Sequence, residues 1–375
     1  MKADTPRPAC RDAGQTPHGG SAGHGDDVIR VLAVIPTLNE ARTIARVLEE
    51  LHQDLPASAD VLFVVCDGGS TDGTGQVVRE LVGRYPFVTL LHNPKGLQSA
   101  AVNLAAAQRH TQADVLVRCD AHAHYPPGFI RQLLASLKAH GSDAVVVPME
   151  SIGGSCLQSA VAWTSDSLIG SGGSAHRGGQ RSGFVDHGHH AAFRMASFLR
   201  AGGYDETFSH NEDAEFDCRQ RSLGSRIFLD AGIRITYIPR GTWAGLWRQY
   251  FQYGRGRSRT IRRHPGSARL RQLAVPLHLA ACAATLALAP WFLWGLVWPA
   301  AYAAALAMAA ISQSVRHRSP CGLLCGPTAA VMHTAWACGF FVGLATLRER
   351  PWRADTAQAL RPAAPPPPAW PQGMR

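Results

Sequence analysis

The distribution of acidic residues constrains this 375-residue chain more than any other feature of its sequence. No Asp or Glu occurs between Asp230 and Glu349. Residues 1–230 carry 20 basic and 25 acidic residues (−5), and residues 231–375 carry 17 and 2 (+15), which sum to +10. Nucleic-acid binders intersperse basic residues with polar ones, whereas the acid-free stretch here is mostly apolar. The pattern therefore disfavours a nucleic-acid partner and indicates a membrane.

Long uncharged runs within this stretch predict membrane-spanning helices. Residues 273–311 and 321–347 contain no Asp, Glu, Lys or Arg, and a helical crossing needs about 20 residues. Residues 273–347 therefore predict two to three transmembrane helices, with a buried all-helical core as the alternative. Three crossings would place the chain end on the far side, although three arginines that favour the cytoplasmic side follow residue 347.

Residues 241–272 predict a basic amphipathic helix that lies in the membrane interface. Within Trp243–Arg263 one helical face is aromatic and apolar, and arginines supply positive charge. A helix of this kind lies in the headgroup region. Positive residues before the first crossing also place this side of the chain in the cytoplasm.

Residues 28–240 show the alternation typical of an α/β domain. Five short apolar runs predict strands, at Val31–Ile35, Val61–Cys66, Val88–Leu91, Val115–Cys119 and Ala144–Val147. Helical spacing of apolar residues occurs between them, at Ala41–Leu55, Thr74–Arg84, Leu97–Arg109 and Pro127–Lys138. Continuously apolar strands separated by helices pair in parallel. The sequence therefore predicts an open, mostly parallel, Rossmann-like sheet with a ligand at the carboxyl ends of its strands.

Both ends of the chain have the composition of disordered segments, namely residues 1–27 and the Pro-rich tail 348–375. Residues 1–27 lack the apolar core of a signal peptide, which predicts that the following domain starts in the cytosol. The nine cysteines form no CxxC motif. We expect reduced thiols that pack as small apolar side chains.

Polar residues follow three of the predicted strands, and we expect them to converge on one site. The first group is Pro36–Glu40, in which Asn39 is either an N-cap for a helix starting at Ala41 or a functional residue. The second is the glycine-rich loop Asp67–Thr74, whose backbone either approaches an anion or makes a tight turn. It has neither the lysine of a GxxxxGK[ST] loop nor GxGxxG spacing, so a dinucleotide fold is disfavoured.

The third group, Asp120–His124, is more specific. Asp120 and His122 stand two positions apart directly after a predicted buried strand, where both can reach one divalent ion. A mixed carboxylate and imidazole ligand set suits Mn²⁺ or Mg²⁺. A turn with solvated polar side chains is the alternative.

The ordered motifs of the chain resemble a known family. PTLNE, VVCDGGSTDGT, the Asp120 site and His210-Asn211-Glu212-Asp213 occur in the order of family-2 glycosyltransferases with the GT-A fold. Segments between residues 30 and 264, among them RCDAHAHYP and GGYDETFSHNEDAEFDCR, are similar to membrane-anchored, succinoglycan-type glucosyltransferases of bacterial exopolysaccharide synthesis. The resemblance implies a GT-A catalytic domain over residues 28–240.

The resemblance also implies a donor site. Residues that match the nucleoside-binding motifs are expected to border the base and ribose or to bind the uracil ring, namely Pro36, Thr37, Glu40 and Asp67. Asp120 is expected to hold the metal ion that bridges the donor phosphates. Where the family has Asp-x-Asp this chain has Asp-Ala-His, so His122 is the second candidate metal ligand.

The resemblance further implies that Asp213 is the catalytic base and that Glu212 orients the acceptor. Gln249, Arg255 and Arg257 lie near the position of a Gln-x-x-Arg-Trp element in related synthases and are expected to contact the acceptor or the diphosphate. One carboxylate base combined with a metal-stabilised leaving group suits single displacement with inversion. By position alone, Asp213 could instead serve only to complement the dipole of a helix starting beside it.

Two further features are ambiguous. Four histidines lack a zinc-binding pattern and are expected to line the acceptor pocket or to bind a loop, namely His176, His187, His189 and His190. Gly170–Gly173 and Gly178–Gly179 predict a mobile segment that closes over the donor.

Together these features predict an inverting, metal-dependent transferase on the cytoplasmic face of a bacterial inner membrane. It would move a hexose, glucose in the first place, from a UDP-sugar to a polyprenyl-diphosphate-linked saccharide. The alternatives are a processive polysaccharide synthase, a catalytically silent sugar-nucleotide binding protein and a nucleotidyltransferase.

Overall fold

The computed structural model of the protein describes residues 28–172, 181–354 and 370. Its ten strands are β1 (Ile29–Thr37), β2 (Ala59–Asp67), β3 (Val88–His92), β4 (Val115–Arg118), β5 (Ala144–Val147), β6 (Met149–Ser151), β7 (Gly183–Phe184), β8 (His189–Arg194), β9 (Ile227–Leu229) and β10 (Ile235–Tyr237). The helices of the α/β part are α1 (Ile44–His52), α2 (Thr74–Arg84), α3 (Gln98–Arg109), α4 (Phe129–His140), α5 (Cys156–Ser165), α6 (Leu168–Ser171), α7 (Met195–Arg200) and α8 (Glu212–Ser222). Four longer helices follow, α9 (Trp243–Arg263), α10 (Leu270–Leu288), α11 (Val297–Arg316) and α12 (Cys325–Thr346).

Eight strands form one sheet in the order β3-β2-β1-β4-β8-β5-β9-β7. The pairs β1–β2, β1–β4, β2–β3 and β5–β9 are parallel, whereas β8 runs antiparallel to both β4 and β5. Alternate residues of β1 and β2 point into two separate apolar cores, so both sheet faces are covered. All five predicted strands and the mostly parallel sheet are confirmed. The insertion of β8 between β4 and β5 was not predicted.

The first predicted helix is shorter than expected, and the proposed N-cap is wrong. Helix α1 begins at Ile44 with Thr43 as its N-cap, not at Ala41. Asn39 has a left-handed backbone (φ 59°), and its side-chain oxygen accepts a hydrogen bond from the backbone N–H of Thr71 at 2.8 Å. The Asn39 side chain therefore joins two loops instead of capping a helix.

Three helical segments are long and apolar enough to cross a membrane, namely Leu270–Leu288, Leu293–Arg316 and Pro320–Thr346. They agree with the apolar runs read from the sequence. Helix α9 covers Trp243–Arg263 of the predicted segment 241–272, and α10 already begins at Leu270. The apolar face of α9 is divided. Leu246 is buried with Val161 of α5 and Met332 of α12, whereas Trp243 and Trp247 remain exposed.

The expectation that all cysteines are reduced is wrong for one pair. Cys156 at the start of α5 and Cys321 in the 3₁₀ turn before α12 form a disulfide across 165 residues, with their Cα atoms 5.1 Å apart. The pair arises because that turn packs on α5, a tertiary contact that no spacing rule reports. Cysteine usage therefore gives no support for a reducing compartment.

The terminal segments predicted to be disordered lie outside the described residues, apart from 348–354 and Trp370.

Candidate active site

A cleft of about 1080 Å³ opens at the carboxyl ends of β1 and β4. Nine of the eleven residues predicted to form the site line it, namely Pro36, Thr37, Glu40, Asp120, His122, Glu212, Asp213, Gln249 and Arg257. The predicted convergence of the first and third loops is therefore present in the fold. It follows from the pairing of β1 with β4, because adjacent parallel strands end at the same sheet edge.

Asp67 ends β2 beside Thr37, but it is not among the residues that line the cleft. Its carboxylate accepts hydrogen bonds from the backbone N–H and the hydroxyl of Ser70, at 3.1 and 2.5 Å. Asp72 in the same loop accepts a hydrogen bond from the backbone N–H of Ala41 at 3.0 Å. The polar side chains of this loop thus hold it against the Pro36–Glu40 loop, and the expected contact of Asp67 with the base of a donor stays a prediction.

Asp120 lies at the centre of the described cleft residues and is held by three side chains. Gln98 donates a hydrogen bond to its Oδ1 at 2.8 Å, and His189 Nε2 lies 3.4 Å from its Oδ2. Arg118 Nη2 lies 3.9 Å from Oδ1. Burial would raise the pKa of Asp120, but the hydrogen bond and charge of His189 and the charge of Arg118 hold that pKa well below its usual range. Asp120 is therefore a permanent anion of the site.

His122, the second predicted metal ligand, pairs with Glu40 instead of Asp120. Its Nδ1 lies 2.9 Å from Glu40 Oε1, and its side chain is 48% exposed. The imidazole thus lies at the open side of the cleft next to a second carboxylate. Because the side chain is half exposed, it can turn towards a ligand more easily than a buried side chain can.

A fully buried guanidinium connects the third loop with helix α8. Arg118 ends β4 and forms an ion pair with Asp213 Oδ1, and its Nη2 lies 3.8 Å from Glu212 Oε1. Its Nη1 also donates to the hydroxyl of Tyr204 at 3.2 Å. A buried arginine is stable only when its charge is compensated. Here the compensation comes from the two carboxylates that the sequence placed near the chemistry.

Helix α8 presents these carboxylates at its N-terminus, where backbone N–H groups favour negative charge. Asn211 precedes them with a left-handed backbone (φ 69°), and its amide donates to Thr260 Oγ1 on α9 at 2.9 Å. The start of α8 is therefore held against α9. A role in the helix dipole and a role in the cleft coexist for Asp213.

The residues present suit a divalent cation that is shared with a phosphate ligand. Three carboxylates, Asp120, Glu212 and Asp213, lie close together around the guanidinium of Arg118. Within residues 28–172 and 181–354, no cluster of three or more His, Cys, Asp or Glu could hold a metal ion by itself. A cation here would need oxygen ligands from a bound molecule in addition to Asp120 and His122, as diphosphates provide for Mg²⁺.

Glu212 makes the site sensitive to pH. Burial and the negative charge of Asp213 raise the pKa of Glu212 from 4.5 to about 7, although Arg118 acts in the opposite direction. The folded state binds the proton of the Glu212 carboxyl group more tightly than the unfolded state does. The contribution of this proton to the free energy of unfolding is therefore complete below pH 4.5 and is lost as the pH rises through 7.

We expect Glu212→Gln, which mimics the protonated acid, to gain stability relative to the wild type between pH 5 and pH 8. The gain is at most about 3 kcal/mol, and it is measured as the difference in melting temperature in metal-free detergent solution. Glu80→Gln, at an exposed position on α2, is the control and should show no such trend. A difference for Glu212→Gln that does not change with pH would contradict the assignment.

The cleft is also lined by residues of α9, α10 and α12. Gln249 donates hydrogen bonds to the hydroxyls of Tyr237 and Tyr253, at 3.2 and 3.0 Å. Arg257 lines the cleft, and burial together with the nearby charge of Arg271 lowers its pKa. Arg255 does not line the cleft, because its turn of α9 packs on Gly343 of α12. The expected contact of Arg255 with the acceptor or the diphosphate stays a prediction.

Two of the four histidines line the cleft, as predicted. His187 Nδ1 lies 2.6 Å from the buried Asp217, and His189 contacts Asp120. His176, the side chain of His190 and most of the predicted mobile glycine segment lie outside the described residues.

Sequence reasoning missed Arg118 and Gln98 as parts of the site. Arg118 had a signal in the sequence, because an arginine inside a buried strand must find an acidic partner. His189 was expected at a pocket or a loop, but its contact with Asp120 was not predicted, since that contact depends on β8 lying next to β4.

Comparisons with known proteins agree with this geometry. The profile described as "Glycosyl transferase family 2" matches residues 32–201. The succinoglycan biosynthesis protein ExoA of Rhizobium meliloti (strain 1021) is 42% identical over 322 residues, which cover 85% of this chain and 96% of that protein. The undecaprenyl-phosphate mannosyltransferase of Micrococcus luteus is 33% identical over 120 residues, 32% of this chain and 47% of that protein.

Among solved structures, the mannosyltransferase PcManGT from Pyrobaculum calidifontis, in complex with GDP-Man and Mn²⁺, aligns with a TM-score of 0.53. The identity is 21%, over 85% of this chain and 88% of that one, so this likeness shows the GT-A fold alone. The match to ExoA spans almost the full length of that relative. The chain therefore belongs to glycosyltransferase family 2 and is a glycosyltransferase.

Proposed function

We propose that this enzyme transfers a hexose from a UDP-sugar to a lipid-linked saccharide in bacterial exopolysaccharide synthesis. The hexose we propose is glucose, and the transfer inverts the configuration of the anomeric carbon. The observation that carries the proposal is the placement of Asp120 and Asp213 around one buried guanidinium in a single cleft. The relative ExoA, which is named for succinoglycan biosynthesis, supports the product class.

The donor is assigned to the part of the cleft beside β1 and β4. Pro36, Thr37 and Glu40 would border the nucleoside, and Asp120 with His122 would hold Mn²⁺ or Mg²⁺ against the diphosphate. A divalent ion in that position stabilises the charge that develops on the leaving group. The cluster of carboxylates around Arg118 supports this assignment, and the structural relative from Pyrobaculum calidifontis was solved with GDP-Man and Mn²⁺.

Asp213 is assigned as the base that takes the proton from the attacking hydroxyl. Its ion pair with Arg118 fixes the direction of the carboxylate. A single base opposite a departing diphosphate leads to direct displacement, whereas a retaining route by the glycosidase scheme needs a second carboxylate as nucleophile. Glu212, with its raised pKa, would orient the acceptor hydroxyl by donating or accepting a hydrogen bond.

The acceptor is assigned as a polyprenyl-diphosphate-linked saccharide. Three arginines that line the cleft form no ion pair with any described carboxylate, namely Arg240, Arg248 and Arg257. Apolar residues from the candidate membrane helices line the same cleft, namely Val275, Met332 and Trp336. Unpaired positive charge next to an apolar wall suits a diphosphate attached to a lipid. The arginines would bind the diphosphate, and the apolar residues would contact the lipid chain.

The location is proposed as the cytoplasmic face of the inner membrane. Nucleotide sugars are the donors of this reaction, and the arginines at the bases of the candidate crossings favour the cytoplasmic side.

The proposal is tested by incubating purified membranes that contain the full chain with a panel of radiolabelled UDP-sugars and identifying lipid-extractable products by mass. We expect one labelled glycolipid, formed from UDP-glucose, that grows by a single residue. A polymer of many residues would support a processive synthase instead. The absence of any labelled product, with donor binding retained, would identify a silent binding protein.

A further inference from the structure

The three candidate membrane helices are not equally available to lipid. In α10 and α11 only 6% and 11% of the apolar window is buried inside the protein, whereas in α12 the figure is 44%. All three helices are long and apolar enough to cross a membrane, but they differ in how much of their surface the protein itself covers.

The start of α12 is held on the catalytic domain. Thr164 on α5 donates a hydrogen bond to the carbonyl oxygen of Cys325 at 3.4 Å, and Cys321 just before α12 is disulfide-bonded to Cys156 of α5. Halfway along α12, His333 Nε2 lies 2.8 Å from the carbonyl oxygen of Ile169 in α6. The first half of α12 thus follows α5 and α6.

The second half of α12 runs parallel to α9 in close contact. A Cβ atom added to Gly254 of α9 would overlap the carbonyl oxygen of Trp336, and one added to Gly339 of α12 would overlap that of Phe251. One turn further on, Arg262 of α9 donates to the carbonyl oxygen of Gly343 at 2.9 Å. The two backbones therefore stay adjacent over several turns.

The chain that follows α12 is also fixed to the catalytic domain. Glu349, the first acidic residue after Asp230, is 2% exposed and forms ion pairs with Arg259 and Arg263 of α9, the latter at 2.8 Å. Arg263 is also paired with Asp205, and the backbone N–H of Trp352 donates to its carbonyl oxygen at 2.9 Å. Both ends of α12 therefore lie at the same domain.

A crossing by α12 would carry α9 into the bilayer with it. Six arginines occur along α9, namely Arg248, Arg255, Arg257, Arg259, Arg262 and Arg263. Each arginine at the centre of a membrane helix makes insertion unfavourable, because its charge must leave water. The apolar gain of one helix does not offset several such residues on its neighbour.

The α10–α11 pair, unlike α12, contacts the catalytic domain near its two bases and leaves most of its length exposed. Its two bases touch the catalytic domain, through the ion pair of Arg269 with Asp186 and the stacking of His317 on Trp163 at 4.1 Å. Its tip, Ala289–Leu296, carries exposed Trp291 and Trp294. Helices of 19 and 20 residues are each about 30 Å long, the thickness of the hydrocarbon core.

We propose that the chain crosses the bilayer twice, as the α10–α11 hairpin, and that α12 lies at the membrane surface between that hairpin and the catalytic domain. The tryptophans at the tip then reach the far interface, where such side chains are enriched. Arg316 and Arg348 remain on the side of the catalytic domain, as does the chain end. This topology does not depend on the identity of donor or acceptor.

The test is cysteine labelling of the full chain in spheroplasts with a membrane-impermeant maleimide, before and after lysis. The positions are Leu293→Cys at the tip, Arg316→Cys at the end of α11, Arg350→Cys after α12 and Glu49→Cys on α1 as the domain reference, all exposed in the structure. The unsubstituted chain gives the background from native cysteines. Trp291→Cys and Arg348→Cys replace any variant that fails to reach the membrane.

We expect positions 316 and 350 to label together with position 49, and position 293 to label only from the opposite side. Labelling of position 350 from the side opposite to 316 would show that α12 crosses and would overturn the proposal. Labelling of position 293 from the same side as 49 would show that the hairpin does not cross, with the same consequence. Neither outcome bears on transfer activity, which is measured separately.

Discussion

Replacing Asp213 with asparagine should lower the rate of sugar transfer by about 10²–10⁴-fold, the usual contribution of a positioned base. Asparagine keeps the shape of the side chain and its contact with Arg118 but cannot take a proton. Because Asp120 and the β1 loop are unchanged, the affinity for the UDP-sugar with Mn²⁺ should stay close to that of the wild type. The measurements are initial rates with radiolabelled donor and the donor Kd by direct binding.

Asp54→Asn is the matched control, since Asp54 is exposed in the loop before β2, at the other end of that strand from Asp67. It should leave both rate and affinity unchanged. Equal losses of rate and affinity in Asp213→Asn would mean that this carboxylate binds the donor and is not the base.

Replacing Asp120 with alanine should weaken Mn²⁺-dependent donor binding by more than about 100-fold, because even outer-shell partners of a metal contribute 10–100-fold. The substitution removes the carboxylate that Gln98, His189 and Arg118 hold in the cleft. Donor affinity is measured in Mn²⁺ and again in EDTA.

The wild type in EDTA provides the comparison for this second variant. Asp120→Ala with Mn²⁺ should resemble the wild type without it, since both lack the same interaction. Undiminished affinity in Asp120→Ala with Mn²⁺ present would show that the cation is held elsewhere.

Local sequence patterns predicted most of the sheet because continuous apolar runs have few alternatives to a buried strand. The runs at Val31–Ile35 and Ala144–Val147 lie fully within β1 and β5. The same patterns could not show that β8 enters between β4 and β5, because strand order depends on long-range packing. His189 reaches Asp120 only through that order.

The cleft was predicted where loops are adjacent in the sheet, but the sequence could not show which contacts each side chain makes there. Thr37 and Asp120 follow neighbouring strands and do line one cleft. Asp67 also follows a neighbouring strand, but Ser70 three residues later captures its carboxylate. No spacing rule distinguishes a carboxylate that binds its own loop from one that faces a ligand.

The membrane part shows the same limit. Composition identified every apolar run, and three helices of sufficient length occur there. Composition cannot show that Gly254 and Gly339 let α9 and α12 pack together, or that Cys156 meets Cys321. Those contacts decide which helices face lipid.

The configuration of the newly formed glycosidic bond is the most direct test of single displacement by one base. The glycolipid made from an α-linked UDP-sugar should be purified and its anomeric coupling constant measured by NMR. A β-linked product is the result expected when Asp213 activates the acceptor hydroxyl for direct attack. An α-linked product would show net retention, by two successive displacements or by attack on the face of the leaving group, and would contradict direct displacement with Asp213 as the base.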